Sequence, residues 1–411
     1  MIARFSRSKV RSLVFLVAAL SMVISAAAVP TEQVVYNFSK NGSGASVHLV
    51  YHSGRLYGAS TLGGDIVCSN GCGSVFELAP KQGGGWNYRL LYAFTGGTDG
   101  NTPMGAVVFD AAGNLYGAVN QATVNQRGGV FKLTPSATGQ WTETTIYSFG
   151  SATNDGQNPN SGVTEDAAGN LYGVTLYGGT DGQGIVYQLT PNLNGTWTES
   201  ILHNFAGRPD AGSPAGEVSF DQAGNLFGTT VFGGTNALGA VYELSPASGG
   251  AWTEKVIYSF DGTQGQTPEG PVTLDATGNV FGLTNAGGKY GEGTAFELIP
   301  GAGGSWNFSL VHTFGASGDG GFPSNAYLTA GSVDTFYGTT FIGGAIGGGT
   351  VFRLKLEAGG QWSEELVHSF GAANDGSAPY GSVTVGPGNA LFGGTSYGGT
   401  AGTGVIYEVT P

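Results

Sequence analysis

Charged residues are scarce in this chain of 411 residues, and positive charge is the scarcer sign. Asp, Glu, Lys and Arg together make up 10% of the sequence, with 15 Lys and Arg against 28 Asp and Glu. A surface that binds nucleic acid must neutralise phosphates with basic side chains, so this balance disfavours a nucleic-acid partner. The surface must consist mostly of Ser, Thr, Asn, Gln and Gly.

Long apolar runs and helical periodicity are missing after residue 30, which excludes later membrane-spanning helices. One short apolar run precedes that point, at Leu13 to Ile24, with basic residues before it and small residues after it: Arg4, Arg7, Lys9, Arg11 and Ala26 to Ala28. This order predicts a signal peptide over residues 1–28, with a retained membrane anchor as the alternative. Cleavage would leave 11 basic against 28 acidic residues, a net charge of −17. We expect a secreted or periplasmic protein without a membrane span.

Cysteine occurs only twice, at Cys68 and Cys72, in one loop. In an exported chain this spacing predicts a local disulfide. A metal site would need two further ligands, and no His lies nearby in the sequence. A redox pair usually has two intervening residues, whereas three lie between these cysteines.

Repetition is what the sequence has in place of these features. The tryptophans lie 54 to 56 residues apart, at Trp86, Trp141, Trp197, Trp252, Trp306 and Trp362. From Gly216, one copy shows four short runs rich in Val, Phe, Tyr and Thr, separated by clusters of Gly, Asn, Asp and Pro. This pattern predicts four strands joined by tight turns, named A to D in chain order.

The four strands recur with a circular offset. The core of strand B (LYG in the first copies) and strand C (such as VFELAP) each occur seven times, whereas the Trp-led strand D occurs only six times, and the chain ends at Pro411 after the seventh strand C. The segment Thr31–Phe38, TEQVVYNF, matches strand D at Thr253–Phe260. The sequence therefore predicts an all-β, seven-bladed β-propeller over residues 29–411, with the ring closed by the N-terminal strand. Its seventh blade would consist of residues 380–411 and 31–39.

These repeated elements also resemble a known family. LYG in strand B, Gly-Gly-Thr in the loop after it, the VFELTP-like strand C, the WTE-led strand D and an Asp-Gly-x-x-Pro loop together resemble the GloVer-type extracellular tandem repeat of bacterial proteins, over about residues 31–411. The order of strand and turn segments within each repeat is similar to that of NHL-type propeller blades. The resemblance implies an exported propeller, and it implies no agreed activity, so it transfers no catalytic residue.

Repeated aspartates mark two kinds of loop. They occur in the A–B turns and before the proline of the D–A loops, at Asp110, Asp166, Asp221 and Asp275, and at Asp99, Asp155, Asp210, Asp319 and Asp375. We interpret both sets as turn chemistry, because Asp accepts hydrogen bonds from nearby backbone N–H groups. Calcium binding at the turns and a ring of carboxylates at the channel mouth are the alternatives.

No catalytic motif is recognisable. The chain has no Gly-x-Ser-x-Gly elbow, phosphate loop or zinc helix motif. His203, His312 and His368 each replace, in separate copies, a strand D tyrosine that we interpret as a packing residue. We therefore expect no catalytic residue, no metal site and no cofactor.

The most specific functional prediction is a ligand-binding rim formed by the B–C loops. Three residues that precede the Gly-Gly of the B–C loop are aromatic, namely Tyr177, Phe232 and Tyr397, and Arg127 breaks the symmetry of the second B–C loop. Exposed aromatic rings stack on sugar faces, so these four residues are predicted to bind carbohydrate or peptide. The alternative is that the rings pack on the adjacent blade.

We thus expect an exported, monomeric and non-catalytic propeller that acts as a binding or scaffold module for carbohydrate or protein ligands. The alternative is a propeller enzyme, such as a polysaccharide lyase or glycoside hydrolase. An enzyme would require an acid, a base and a cation that belong to single blades and meet in the central channel.

Overall fold

Seven antiparallel blades, each with four strand positions A to D, make up the part of the protein that the structure describes. The structure is a computed structural model that describes residues 30–39, 48–64 and 68–411. The predicted all-β, seven-bladed propeller is confirmed. The predicted signal peptide, residues 1–28, lies outside the described residues.

Each sheet is one blade, with strand A innermost and strand D outermost. Blade 1 comprises β2 Leu49–His52, β3 Arg55–Ser60, β4 Ser74–Pro80 and β5 Trp86–Ala93. Blade 2 comprises β6 Asn101–Phe109, β7 Leu115–Gln121, β8 Gly129–Pro135 and β9 Trp141–Ser148. Blade 3 comprises β10 Gly156–Pro159 with β11 Thr164–Glu165 as strand A, then β12 Leu171–Gly178, β13 Ile185–Pro191 and β14 Trp197–Asn204. Blades 4 and 5 comprise β15 Ala211–Phe220, β16 Leu226–Gly233, β17 Ala240–Pro246 and β18 Trp252–Ser259; and β19 Thr273–Leu274, β20 Val280–Thr284, β21 Thr294–Pro300 and β22 Trp306–Thr313.

Blades 6 and 7 follow the same plan with small additions. Blade 6 comprises β24 Thr329–Ala330, β25 Thr335–Thr340, β27 Thr350–Leu356 and β28 Trp362–Ser369, and a separate two-stranded pair, β23 Gly320–Gly321 and β26 Ile342–Gly343, lies in its loops. Blade 7 comprises β29 Gly376–Pro379 with β30 Thr384–Val385 as strand A, then β31 Leu391–Gly398, β32 Val405–Thr410 and β1 Thr31–Asn37. Three single-turn 3-10 helices lie in turns, at Ser248–Gly250, Ala302–Gly304 and Pro387–Asn389.

Strand β1 is the outermost strand of the seventh sheet. It pairs antiparallel with β32, from Thr31 opposite Thr410 to Asn37 opposite Val405. The first described strand of the chain therefore lies beside the last one. Whether this pairing holds the ring closed in solution stays a prediction.

The blades are joined through an aromatic core that repeats around the ring. The phenylalanine that follows strand D is almost fully buried in every blade: Phe38, Phe94, Phe149, Phe205, Phe260, Phe314 and Phe370. Each ring contacts an aromatic ring of strand C in the next blade; for example, Phe149 lies 4.9 Å from Tyr187 between ring centroids. Burying one such side chain fully stabilises the fold by about 1.5–3 kcal/mol. The tryptophans add a second contact, as where Trp86 packs edge-on against Phe392 of blade 7.

A belt of hydroxyl groups links the innermost strands. In five blades a strand A hydroxyl donates a hydrogen bond to a main-chain carbonyl of the next blade: Thr164 to Val218, Ser219 to Val272, Thr273 to Leu328, Thr329 to Val383 and Thr384 to Leu49. Val50 and Val108 occupy this position in the remaining two blades and have no hydroxyl. The repeated fold thus has two layers of inter-blade contact, an apolar one outside and a polar one around the central channel.

Candidate functional site

The D–A and B–C loops lie together on one side of the ring, called here the upper face. Their main chains are bonded to each other; for example, Gly234 N donates to the Asp210 carbonyl at 2.8 Å. The aspartates of the D–A loops fold back onto their own loops, since the Asp99 carboxylate accepts the Thr95 N–H at 2.8 Å and the Gly97 N–H at 3.2 Å. These carboxylates hold the loops of the upper face in place.

The aspartates of the A–B turns act in the same way on the opposite, lower face. Asp110 Oδ1 accepts the main-chain N–H groups of Ala112 and Asn114, at 2.9 and 2.8 Å. Its Oδ2 accepts from the Asn114 amide at 2.6 Å. These hydrogen bonds hold the pKa of the Asp110 carboxyl below its usual value. The arrangement is the turn chemistry that the sequence predicts.

The three predicted rim aromatics project into solvent. Tyr177, Phe232 and Tyr397 are 49%, 55% and 59% exposed, so they are not folded down onto the neighbouring blade. Tyr177 and Phe232 lie on the neighbouring blades 3 and 4, whereas Tyr397 lies on blade 7. Their role in binding stays a prediction.

Tyr397 lies in the wall of a cavity on the upper face. The cavity has a volume of about 520 Å³ and is built from blades 6, 7, 1 and 2. Two further aromatic rings, Phe341 and Tyr380, meet edge to face in its wall with their centroids 6.3 Å apart. The lining consists of Thr61, Leu62, Thr102, Met104, Phe341, Tyr380, Ser396, Tyr397, Gly402 and Thr403. The result is a concave, mainly apolar surface bordered by hydroxyl groups.

Arg127 lies elsewhere on the upper face. It is exposed, and its main-chain carbonyl accepts the Asn158 N–H at 2.8 Å. It does not line the cavity beside Tyr397. Asn158 adjoins Gln157, which pairs with Tyr177, so Arg127 lies toward the blade that carries Tyr177, and its contact with a ligand stays a prediction.

The predicted disulfide between Cys68 and Cys72 is present, with the two Cα atoms 5.2 Å apart. It shapes one wall of the cavity, because the Cys72 carbonyl accepts the N–H of Thr102 at 2.9 Å. Thr102 in turn lines the cavity. The disulfide therefore fixes the first B–C loop against the start of strand A in blade 2.

The central channel contains a layer of side chains that breaks the sevenfold repeat. Each strand A has one buried Val or Leu, such as Val218, and the residue directly before it belongs to the layer. The amino acid at this layer position is different in every blade: His48, Ala106, Gly162, Glu217, Pro271, Tyr327 and Ser382. Glu217 Oε1 accepts the main-chain N–H groups of Ala106 and Gly162, both at 2.9 Å. The carboxylate of blade 4 thus reaches across to blades 3 and 2.

His48 completes this layer on the other side of the channel. It is 2% exposed, and its Nε2 lies 3.3 Å from the Asn325 amide nitrogen. Its ring stacks on Tyr327 at a centroid distance of 6.1 Å, and within the part of the chain that the structure describes its Nδ1 has no hydrogen-bond partner. Burial lowers the pKa of His48, and the nearby Glu217 carboxylate partly opposes that shift.

A second cavity, of about 570 Å³, lies in the channel below this layer. Glu217 and Tyr327 line it together with strand A residues of blades 2 to 5, and its described lining includes no Lys or Arg. The channel therefore brings together an acid and a base without a cation. The sequence carries a signal for this cluster, because an alignment of the seven strand A copies shows one position that is never repeated.

Three other groups of side chains have the donor atoms to hold a metal ion. Each lies between two blades and consists of one His, one Asp and one Glu. The histidines lie in separate blades, as the sequence predicts, whereas their acidic neighbours come from other loops and blades and are not evident from the sequence.

The fold and these surfaces define a seven-bladed repeat propeller with an aromatic upper face and an asymmetric channel. The sequence matches the profile of the Gloeobacter/Verrucomicrobia repeat over residues 22–168 and 118–332. The chain belongs to this repeat family. No curated protein matches it. Within the described ranges, no helix is long and apolar enough to cross a membrane.

Three solved structures align with most of this chain at low sequence identity. A protein of unknown function from Dyadobacter fermentans has 10% identity and a TM-score of 0.45, and the alignment covers 93% of this chain and 99% of the other. A putative oxidoreductase (glucose dehydrogenase) from Thermus thermophilus has 16% identity and a TM-score of 0.41, with 93% and 100% covered. The Trypanosoma rangeli sialidase has 12% identity and a TM-score of 0.42, with 93% and 59% covered.

Proposed function

We propose that this protein is an exported, non-catalytic binding propeller that holds a carbohydrate on its upper face. The observation that carries the proposal is the cavity of about 520 Å³ beside Tyr397, which three aromatic rings line together with Leu62 and Met104. An aromatic ring covers the apolar face of a sugar, and nearby hydroxyl groups bond to the sugar hydroxyls. Ser396 and Thr102 supply such hydroxyls at the edge of the cavity.

Export is supported by two independent features. The sequence of residues 1–28 has the order of a signal peptide. The disulfide Cys68–Cys72 requires an oxidising compartment to persist. A polysaccharide outside the cell is a ligand that an exported protein meets.

The test is a glycan panel with the mature protein and the variant Tyr397→Ala. We expect the variant to lose about tenfold in affinity for the glycan that binds, which corresponds to about 1.4 kcal/mol. Tyr290→Ala is the matched control, because Tyr290 is 45% exposed on the B–C loop of blade 5 and does not line the cavity. Melting temperatures of both variants should stay close to that of the unchanged protein. A lower melting temperature for Tyr397→Ala with unchanged affinity would identify Tyr397 as a packing residue and reject the proposal.

The asymmetric channel favours a second candidate, an enzyme that cleaves polysaccharide. Glu217 and His48 are an acid and a base contributed by single blades, as a hydrolase or lyase requires. Against this function, Glu217 Oε1 is already bound by two main-chain N–H groups, and His48 is almost fully buried. The discriminating measurement is release of reducing ends or unsaturated sugars from a polysaccharide panel. Activity that Glu217→Gln abolishes would replace the binding proposal by the enzymatic one.

A further inference from the structure

Three blade interfaces contain the same cluster of side chains. Each cluster combines a His from the end of strand D, the Asp of the following D–A loop and a Glu from strand D of the next blade. In each cluster one donor atom per residue lies within 4.8 Å of the other two. The clusters are His203–Asp210–Glu254, His312–Asp319–Glu364 and His368–Asp375–Glu32.

The spacing of the donor atoms suits a small cation. The His Nε2 and Asp Oδ2 atoms are hydrogen-bonded at 2.9 Å in His312–Asp319 and 3.3 Å in His368–Asp375, and they are 3.6 Å apart in His203–Asp210, so a cation would take the place of the proton that they share. Two ligands about 2.1 Å from a tetrahedral Zn²⁺ are separated by about 3.4 Å. Rotation of the flexible Glu side chain can bring the third donor to the same distance.

Each cluster also holds a polar atom that the fold leaves without a partner. Among the described residues, no hydrogen-bond donor reaches the buried Oε1 of Glu32, Glu254 or Glu364, and His203 Nε2 lies 3.6 Å from Asp210 Oδ2, beyond hydrogen-bond distance. The aspartates beside two of these glutamates are more than nine-tenths buried, with side-chain exposures of 8% for Asp319 and 6% for Asp375. A buried polar atom without a partner costs about 1–3 kcal/mol, so each cluster has a glutamate oxygen that a cation or a proton would stabilise.

The equivalent interfaces of blades 1 and 2 show what supplies that group elsewhere in the ring. There a tyrosine stands in place of the histidine. The Tyr147 hydroxyl oxygen is 3.2 Å from Asp155 Oδ2 and 2.9 Å from Glu199 Oε2, so its single proton lies between two carboxylates and can be donated to either one. Tyr92 donates in the same way to Asp99 at 3.0 Å. Glu199 keeps one unpartnered oxygen, but its other oxygen is bound by the tyrosine.

The change from Tyr to His alters the chemistry of the interface. A tyrosine hydroxyl always offers a proton to an adjacent carboxylate, whereas a neutral imidazole also offers a nitrogen lone pair. One nitrogen and two carboxylate oxygens are a ligand set for a first-row transition cation. Calcium is a poorer match, because it takes six to eight oxygen ligands.

We propose that these three clusters are binding sites for a divalent first-row transition cation, one per cluster, with Zn²⁺ as the probe. Each site has three protein ligands, and water completes the coordination. Two carboxylates balance the charge of the ion, and the ion joins two blades. The His side chains are 20–22% exposed, so the sites open to solvent. The proposal is independent of the carbohydrate site on the upper face.

The experiment is a titration of the chelator-treated mature protein with Zn²⁺ in competition with a chromophoric chelator. We expect three equivalents per chain, and a melting temperature that rises with added Zn²⁺. His203→Tyr, His312→Tyr and His368→Tyr should each remove one equivalent, and the triple variant should bind none. These substitutions place at each site the residue that blades 1 and 2 already use, so the variants are expected to fold.

Two further variants test the assignment from opposite directions. Tyr147→His recreates the full ligand set with Asp155 and Glu199 and should raise the stoichiometry to four. His52→Tyr changes a histidine outside the clusters and should leave it at three. Should a His→Tyr variant not fold, Glu254→Gln, Glu364→Gln and Glu32→Gln each remove one charged ligand and should each remove one equivalent. A wild-type protein that binds less than one equivalent, or a folded triple variant that still binds three, would overturn the proposal.

Discussion

The blade interfaces and the central channel follow opposite rules, although the same strands build both. At the interfaces a buried phenylalanine occurs in all seven blades and packs on an aromatic residue of the next blade. In the channel layer the corresponding residue differs in every blade, and it includes one acid and one histidine. Contacts between neighbours are the same at each step around a ring, so packing selects the same residue each time. At the axis one side chain can reach several blades, so packing there does not require seven copies.

Removing the N-terminal strand should have the largest effect on this repeated interface. Deletion of residues 31–39 exposes the edge of β32 and takes away Phe38, which is 2% exposed. Truncating one buried Phe costs about 3–5 kcal/mol, and the lost strand adds to that cost. We expect a loss of more than about 5 kcal/mol in the free energy of unfolding or complete failure to fold. Urea denaturation followed by fluorescence measures the difference.

The control for this deletion is a chain that starts at Thr31 and keeps the strand. It should have the same melting temperature as the full mature protein. Equal melting temperatures for this chain and the deletion would show that β1 does not close the ring in solution, and the circular arrangement would then be wrong.

A change in the channel layer should have the next largest effect. Glu217→Ala leaves the N–H groups of Ala106 and Gly162 without their acceptor. Each unsatisfied buried group costs about 1–3 kcal/mol, so we expect a destabilisation of about 2–5 kcal/mol. Glu217→Gln keeps an acceptor oxygen and should lose less. Glu365→Ala, at an exposed ion pair with Arg353, is the control and should change stability by less than about 1 kcal/mol. Equal effects of Glu217→Ala and Glu365→Ala would mean that the layer does not hold blades 2 to 4 together.

The fold was predictable because its repeating unit occurs seven times. A tryptophan every 54 to 56 residues and the matching segment Thr31–Phe38 indicate blade number and strand order without any three-dimensional information. The disulfide was predictable because Cys68 and Cys72 lie in one loop. Features with a constant spacing, or within a few residues, can be read from a single sequence.

The candidate sites were less predictable because residues far apart in the chain build them. Phe341 and Tyr380 meet Leu62 and Met104 in one cavity only after the ring brings blades 6, 7, 1 and 2 together. The third His–Asp–Glu cluster joins His368 to Glu32, at opposite ends of the chain. The sequence singled out Tyr397 because it is an aromatic residue before the Gly-Gly of a B–C loop, but the repeat pattern does not show which exposed aromatics share a site.

The disulfide should matter more for the cavity than for stability. Its cysteines are separated by only 4 positions in the sequence, so its loss should cost less than the roughly 3 kcal/mol expected for a 15-residue loop. The double variant Cys68→Ser, Cys72→Ser should therefore stay folded. Because the Cys72 carbonyl holds Thr102 in the cavity wall, we expect the variant to lose more in ligand affinity than in melting temperature. A large drop in melting temperature with unchanged ligand affinity would contradict this prediction. Peptide mapping of the unchanged protein checks that the two thiols are oxidised to each other.

We expect the smallest effect from the pH dependence of stability at the interface between blades 2 and 3, where Tyr147 faces Asp155 and Glu199. Burial, with a further contribution from Asp155, raises the pKa of Glu199 to about 7 from its ordinary value of 4.5. A carboxyl whose pKa is higher in the folded than in the unfolded state binds its proton more tightly when folded. Glu199 therefore contributes its full stability below about pH 4.5, and this contribution is lost as the pH rises through 7.

Glu199→Gln keeps an acceptor for the Tyr147 hydroxyl and removes the titration. The urea midpoint of the variant should decline less between about pH 4.5 and about pH 8 than that of the unchanged protein. Glu408→Gln is the control, because Glu408 lies on β32 with its carboxylate bonded to Gln33 at an exposed position. That substitution should leave the slope unchanged. If Glu199→Gln also leaves the slope unchanged, the glutamate does not hold a proton at the interface, and Tyr147 alone satisfies it.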